Sequence, residues 1–262
     1  MELLIITAAA LALGSFSTAL IYRVPRNIPW AFGTSKKGEP TAGRSVCTSC
    51  KAVLSPLDLV PVFSWLFLRG KCRQCKTLIP ARYPLTELGV VLACLGAYAV
   101  FGFNAYTFFI MAAIPFLMAL LVIDLDHMIL PNQLVFIVGL IGLGHLLFVF
   151  FSSSFTMDRF ELVAMYVVAA LFYAGLSWFL GWFLTKILKK DALGFGDVKF
   201  FAVAGLWLGL SNVAPFLILS GLLGIVFSVV WQKVKKEAVF PFGPALITSL
   251  YVVLLLRGSL LL

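Results

Sequence analysis

Charge is scarce in this sequence, and negative charge is scarcest. Asp, Glu, Lys and Arg together make up 12% of the 262 residues, only 11 residues are acidic, and there are two histidines. An ordinary soluble domain carries about 25% charged residues, so this chain is too poor in charge for a water-facing surface of normal composition. The short alternating segments of a transmembrane barrel are missing, because the apolar runs are continuous. No glycine-rich nucleotide fingerprint is present. The first 22 residues have no basic n-region and no small-x-small site before Arg23. They are therefore expected to be a retained span rather than a removed signal peptide.

What the chain has is apolar length. It is 62% hydrophobic, and several runs approach or exceed the roughly 18–20 residues that cross a bilayer. Lipid offers the backbone no hydrogen-bond partners, so such runs must be helices. The expected fold is an all-α polytopic membrane protein with about eight transmembrane helices, near 1–22, 84–103, 106–123, 133–151, 161–186, 199–210, 213–231 and 242–260. The expected organisation is a first helix over 1–22, a basic four-cysteine domain over 23–83 and a transmembrane core over 84–262.

The net charge of +9 invites a nucleic-acid reading, but its placement argues for membrane lipid as the partner and against nucleic acid. The basic residues gather in 23–83, 186–199 and 233–237, whereas 152–160 has one Arg and one Asp. The positive-inside rule puts the three basic loops in the cytoplasm and both termini outside. Anionic headgroups would hold those loops at the membrane surface.

A loop of about 60 residues buries a poor core alone and needs a staple. Cys47-Thr-Ser-Cys50 and Cys72-Arg-Gln-Cys75 supply one, as two C-x-x-C knuckles separated by 21 residues. Each knuckle can give two thiolates to one tetrahedral ion, and a closed four-sulfur shell makes Zn²⁺ structural rather than catalytic. Two disulfides or free thiols are the competing readings, and a reducing cytoplasm disfavours the disulfides. Cys94 lies in an apolar run and reads as packing.

Two acids stand at the ends of apolar runs. Asp124 lies in Val122-Ile123-Asp124-Leu125-Asp126-His127, and Asp197 in Gly194-Phe195-Gly196-Asp197. Ionisable groups at membrane depth read as functional. An Asp at a span end is also often a solvated interfacial residue, and Asp126 reads as one. Two spans separate Asp124 from Asp197, so topology returns both to the cytoplasmic side. Carboxylates facing one another share a proton, which is the state that hydrolyses peptides. Gly194 and Gly196 are expected to let the backbone bend, approach a neighbour closely or adopt positive φ. Glu87 near Arg82 suggests a buried ion pair, and Trp207 reads as an interfacial belt residue. A proton-relay transporter and a non-catalytic assembly factor are the competing classes. Acids at one face speak against the first, and the second needs no carboxylate pair.

The ordered motifs resemble the type IV prepilin peptidases. They run through Gly14-Ser15-Phe16, Tyr22-Arg23-Val24-Pro25, both knuckles, Ser64-Trp65, Leu68 to Arg73 and Arg82-Tyr83-Pro84-Leu85-Thr86-Glu87. They continue through Asp124 to Pro131-Asn132, the G-x-G-D at Gly194–Asp197 and Pro241-Phe242-Gly243-Pro244. The resemblance implies a bacterial inner-membrane aspartyl protease that cuts prepilins or pseudopilins after a glycine on the cytoplasmic side. It implies Asp124, seven residues before Pro131, and Asp197 as the catalytic pair. It also implies N-methylation of the new terminus from S-adenosylmethionine, with no donor-binding residues identified. Asp58-Leu59-Val60-Pro61 departs from the family's more frequent Asp-Asn-Ile-Pro.

Overall fold

The computed structural model describes residues 1–30, 45–152, 159–189, 193–237 and 239–259. Lys36, Lys37, Arg44 and Lys190 of the basic loops, and most of the 152–160 loop, lie outside the described residues. The described helices are α1 (Glu2–Arg23), α2 (Phe63–Phe67), α3 (Arg82–Phe101), α4 (Ala105–His127) and α5 (Asn132–Ser152), followed by α6 (Arg159–Leu188), α7 (Phe195–Leu208), α8 (Val213–Lys235) and α9 (Gly243–Ser259). Among the described residues, extended pairing is confined to two isolated bridges, Val46 with Val53 and Lys71 with Leu78. The chain is an all-helical, multi-pass membrane protein. Helices α1, α3, α4, α5, α6 and α8 are long and apolar enough to cross a membrane. The remaining apolar runs form α7, of 14 residues, and α9, of 17.

Large apolar side chains point outward where lipid replaces water as the solvent. On α6, Phe172, Trp178, Phe179 and Phe183 are all exposed, an arrangement that would be a liability in a soluble protein.

The chain divides into two compact units, Met1–Ala119 and Leu120–Leu262, with the boundary inside α4. In the first, α1 packs on α3. Gly14 makes this possible, since a Cβ there would stand 3.1 Å from the Glu87 Cα. Phe16, Trp30 and Phe116 form an aromatic cluster with centroids 5.7–6.1 Å apart. Cys94 is fully buried.

In the second unit α7 packs against α5, α6 and α9. At Gly205 a Cβ would lie 2.6 Å from the Ala169 carbonyl, so only glycine lets α6 and α7 approach this closely. Trp207 corrects a sequence expectation. It is not a belt residue but is 4% exposed, and its indole N–H donates to the Val138 carbonyl at 3.1 Å. Gly142 leaves room for that ring, as its Cβ would fall 2.7 Å from Nε1. The reason is that α7 is central in its unit, so a tryptophan near its end faces protein.

Candidate active site

Asp124 sits in the last turn of α4. That helix stops at His127 because Met128 turns left-handed, with φ 54°, and donates its N–H to the Asp124 carbonyl at 2.8 Å. Pro131, which has no N–H, then precedes α5. Between them Leu130 is buried, 8% exposed. Asp126 and His127 face outward, whereas Asp124 is 4% exposed and is the one charged residue among the described buried side chains.

A buried carboxylate needs donors. The backbone N–H of Gly243, the first residue of α9, donates to Asp124 Oδ2 at 2.8 Å. The N-terminus of a helix is where backbone N–H groups and the macrodipole stabilise negative charge. The contact leaves no room for a side chain, as a Cβ on Gly243 would fall 2.6 Å from Asp124 Oδ2 and 3.0 Å from Leu130 Cδ2.

Asp197 repeats the arrangement. It lies in the first turn of α7, partly buried, and its Oδ2 accepts the Gly194 N–H at 3.2 Å. A Cβ at Gly194 would meet that same oxygen at 3.1 Å. Gly196 packs on the Leu130 segment, where its Cβ would be 3.3 Å from Leu130 Cβ. Neither Gly194 nor Gly196 has positive φ. Of the uses expected for them, close approach is the one found.

Leu130 therefore touches both the glycine beside Asp197 and the glycine that holds Asp124. Through Leu130 the helix ends that carry Asp124 and Asp197 pack on one segment. A further tie joins the two motifs, in which Lys199 Nζ donates to Asn132 Oδ1 at 2.8 Å. The structure thus brings together Asp124 and Asp197 and leaves Asp126 outside. Sequence reasoning missed the role of Gly243. Its motif was visible, and a Pro-flanked glycine opening an apolar run is a helix-start signal, but that signal carries no information about which side chain the N–H meets.

The four cysteines form a second polar cluster. The sulfurs of Cys47, Cys50, Cys72 and Cys75 lie within 4.8 Å of one another, and Cys47 and Cys75 are 3.8 Å apart. A tetrahedral ion with sulfurs about 2.3 Å away needs sulfur–sulfur edges of roughly 3.8 Å, so the four thiols fit a metal. Both knuckles share one local fold, although the sequence shows no repeat. Cys47 and Cys72 donate their N–H groups to the Ala52 and Thr77 carbonyls, and Lys51 and Lys76 donate back to the Cys47 and Cys72 carbonyls. Lys51 and Lys76 both turn left-handed, at φ 59° and 58°. The Thr77 hydroxyl and backbone draw the Cys75 thiol down to about 6, towards the thiolate form.

Glu87 departs from its expected ion pair with Arg82. It accepts the Val62 N–H at 2.7 Å, because α2 and its approach fold over the start of α3. The described salt bridge in this region is Arg73 with Asp58, at 2.7 Å.

Two family models match the chain. One, described as the bacterial peptidase A24 N-terminal domain, covers residues 8–101, and the other, the type IV leader peptidase family, covers 111–229. The chain is 31% identical over 248 residues to the type 4 prepilin-like proteins leader peptide-processing enzyme of Escherichia coli O78:H11, spanning 92% of this chain and 88% of that protein. It is 31% identical over 264 residues to a prepilin leader peptidase/N-methyltransferase of Xanthomonas campestris pv. campestris, covering 93% and 87%. It is also 31% identical over 268 residues to a protein of the same name from Neisseria gonorrhoeae, covering 95% and 88%. No solved structure matches the chain.

Proposed function

We propose, for a chain that belongs to the type IV leader peptidase family, that it cleaves the leader of type IV prepilins or pseudopilins with Asp124 and Asp197 and then N-methylates the new terminus. The observation that carries the peptidase reading is the buried Asp124 carboxylate, held at the start of α9, with Leu130 packed against both the glycine that holds it and the glycine beside Asp197.

Two carboxyl groups that face one another share one proton at working pH. The ionised member takes a proton from a water, which attacks the carbonyl of the leader's final glycine. The protonated member donates to the carbonyl oxygen as the tetrahedral centre forms. A proton is then returned to the departing amine, and the C–N bond breaks. The Gly194 and Gly243 N–H groups keep both carboxylates aimed at that water. They are fixed before substrate arrives, so their reorganisation costs little during reaction.

Cys47, Cys50, Cys72 and Cys75 hold a structural Zn²⁺ in this reading, and its closed shell takes no part in hydrolysis. S-adenosylmethionine supplies the methyl group for the second reaction. Residues 1–22 form the first span, 23–83 a cytoplasmic basic domain and 84–262 the protease core. The positive loops orient the chain in a bacterial inner membrane with the aspartates at the cytoplasmic face.

The test is direct. The purified protein in detergent or lipid is mixed with a prepilin, and the products are weighed by mass spectrometry. Leader release followed by the mass gain of one methyl group is expected from the native chain with added S-adenosylmethionine. Full cleavage by Asp124→Asn or by Asp197→Asn would remove the aspartate mechanism.

A further inference from the structure

Aspartate chemistry leaves several motifs of this chain without a use. Three of them, Tyr22-Arg23, Ser64-Trp65 and Arg82 to Glu87, contribute to the wall of one cavity in the first compact unit. The cavity is about 390 Å³, within the roughly 300–1,000 Å³ of small-molecule sites. One stripe of α1, at Ser15, Thr18, Ala19, Tyr22 and Arg23, faces one stripe of α3, at Pro80 just before it and Tyr83, Pro84 and Glu87 within it. The four-cysteine cluster adds Cys47 and Cys72 to the wall.

Its polar equipment is selective. Glu87 uses Oε2 to accept the Val62 N–H, and among the described contacts its other oxygen has no protein partner. That first bond fixes the carboxylate and holds Val62 at φ 61°, a backbone conformation rarely tolerated by a β-branched residue. Gly14 presses on the Glu87 backbone from behind. Trp65 is equally fixed. Its indole donates to the Ile79 carbonyl at 3.0 Å, and its ring lies against Gly70, where a Cβ would come within 2.9 Å. Gly70 itself has φ +67°. The cavity therefore offers the rigid Glu87 carboxylate, the aromatic rings of Tyr22, Trp65 and Tyr83, and the cations Arg23 and Lys51, beside an Asp58 carboxylate already paired with Arg73.

We propose that this cavity binds the methyl donor, a nucleoside sulfonium with a zwitterionic amino-acid tail, with Glu87 as the partner of its positive charge. The proposal rests on the N-methyltransferase reading above and assigns it a place. A carboxylate and aromatic faces are what a sulfonium cation needs. An aromatic wall takes a purine by stacking, and Arg23 or Lys51 answers the carboxylate of the tail. An acyl chain would use neither the carboxylate nor the cations.

The experiment measures binding of S-adenosylmethionine itself to the full-length zinc-loaded protein, by calorimetry and by intrinsic tryptophan fluorescence, with no prepilin present. Two variants are compared. Glu87→Gln keeps an acceptor for the Val62 N–H and loses only the charge. Ala19→Trp fills the cavity from α1 and deletes no contact. Zinc content and leader cleavage, to which neither residue contributes a contact, report that both variants fold. Both should weaken donor binding about tenfold or more. Native-like binding by both variants overturns the assignment, while methyl transfer by the unaltered protein would then leave the N-methyltransferase reading standing. If the unaltered protein neither binds the donor nor adds a methyl group, that reading fails and takes the assignment with it. A phospholipid in the cavity that the donor does not displace also overturns the proposal.

Discussion

The four-cysteine cluster and the aspartate pair solve the same problem in opposite ways. Both must hold groups of like charge close together. The cysteines come from two copies of one local turn, each closed by its own backbone hydrogen bonds and a left-handed lysine. The aspartate site comes from three helix ends, with Asp124, Asp197 and Gly243 separated by 73 and 46 residues in the chain. The cysteine site carries its geometry in its sequence spacing, and in the proposed reading a metal would offset its negative charge. The aspartate site carries its geometry in packing and meets its carboxylates with the N-terminal N–H groups of α7 and α9, and in the proposed reading a shared proton would offset the rest. A site of the first kind fails when its ion leaves. A site of the second kind fails when one glycine gains a carbon.

The largest effect should come from breaking the pair itself. Asp124→Asn and Asp197→Asn should each lower cleavage about a thousandfold or more, at the upper part of what general acid–base groups contribute. Zinc content should be unchanged, and methylation of an already cleaved pilin should survive. Cleavage by the unaltered chain should show a bell-shaped pH profile whose two limbs belong to the pair jointly. A profile with one limb would mean that the carboxylates act independently.

Next is Gly243→Ala, which leaves every ionisable group in place. The added carbon would stand 2.6 Å from Asp124 Oδ2, so the carboxylate must move and its N–H bond must lengthen. A misplacement on that scale costs about a hundredfold in rate. The loss should fall on the catalytic constant of cleavage and leave donor binding untouched. An alanine variant with normal turnover would show that the Gly243 contact is packing alone.

Cys47→Ser, or a strong chelator, tests the other side. Zinc stoichiometry should fall, the Trp65 environment should loosen because Trp65 and Cys72 share a cavity wall, and methyl transfer should decline. Cleavage should decline least, since its residues all belong to the other compact unit. A variant that retains its full zinc content would refute the four-sulfur site.

The same contrast explains what the sequence made legible. Helical class, the apolar runs and the four cysteines are local patterns, and each could be read from spacing. The aspartates could be named because acids are rare in apolar runs, but their proximity had to come from topology. The Gly243 contact could not be read at all, because a backbone N–H is the same at every residue and only packing selects which one meets Asp124. Trp207 was misread for a related reason. Position near a helix end suggests an interface only if the helix borders lipid, and α7 is wrapped by α5, α6 and α9. Glu87 followed its nearest cation in sequence, whereas in the structure the loop containing Val62 reaches it first.

The smallest effect distinguishes electrostatic from metal support within the cysteine region. Burial works against the Asp58 carboxyl, but hydrogen bonds from Ser55 and Arg73 outweigh it and hold the group below its ordinary value of 3.8. A carboxyl lowered by folding adds stability that is complete above its unfolded value and is lost as pH falls through its folded value. Stability from Asp58 should therefore be full at neutral pH and fade only in the acid range below that ordinary value. Arg73 is 54% exposed, so solvent screens the pair and the contribution belongs in the roughly 0–1 kcal/mol of exposed ion pairs. Thiolate ligands also take up protons in acid and release their metal, so a simple acid melt mixes two causes. Comparing the native chain with Asp58→Asn separates them, because both lose zinc together. With every tryptophan but Trp65 replaced by Phe in both, the gap between their fluorescence transitions should be small at neutral pH and should close on acidification. A gap that does not change with pH would assign the stability of this loop to the metal and the local turns, with no share for Asp58.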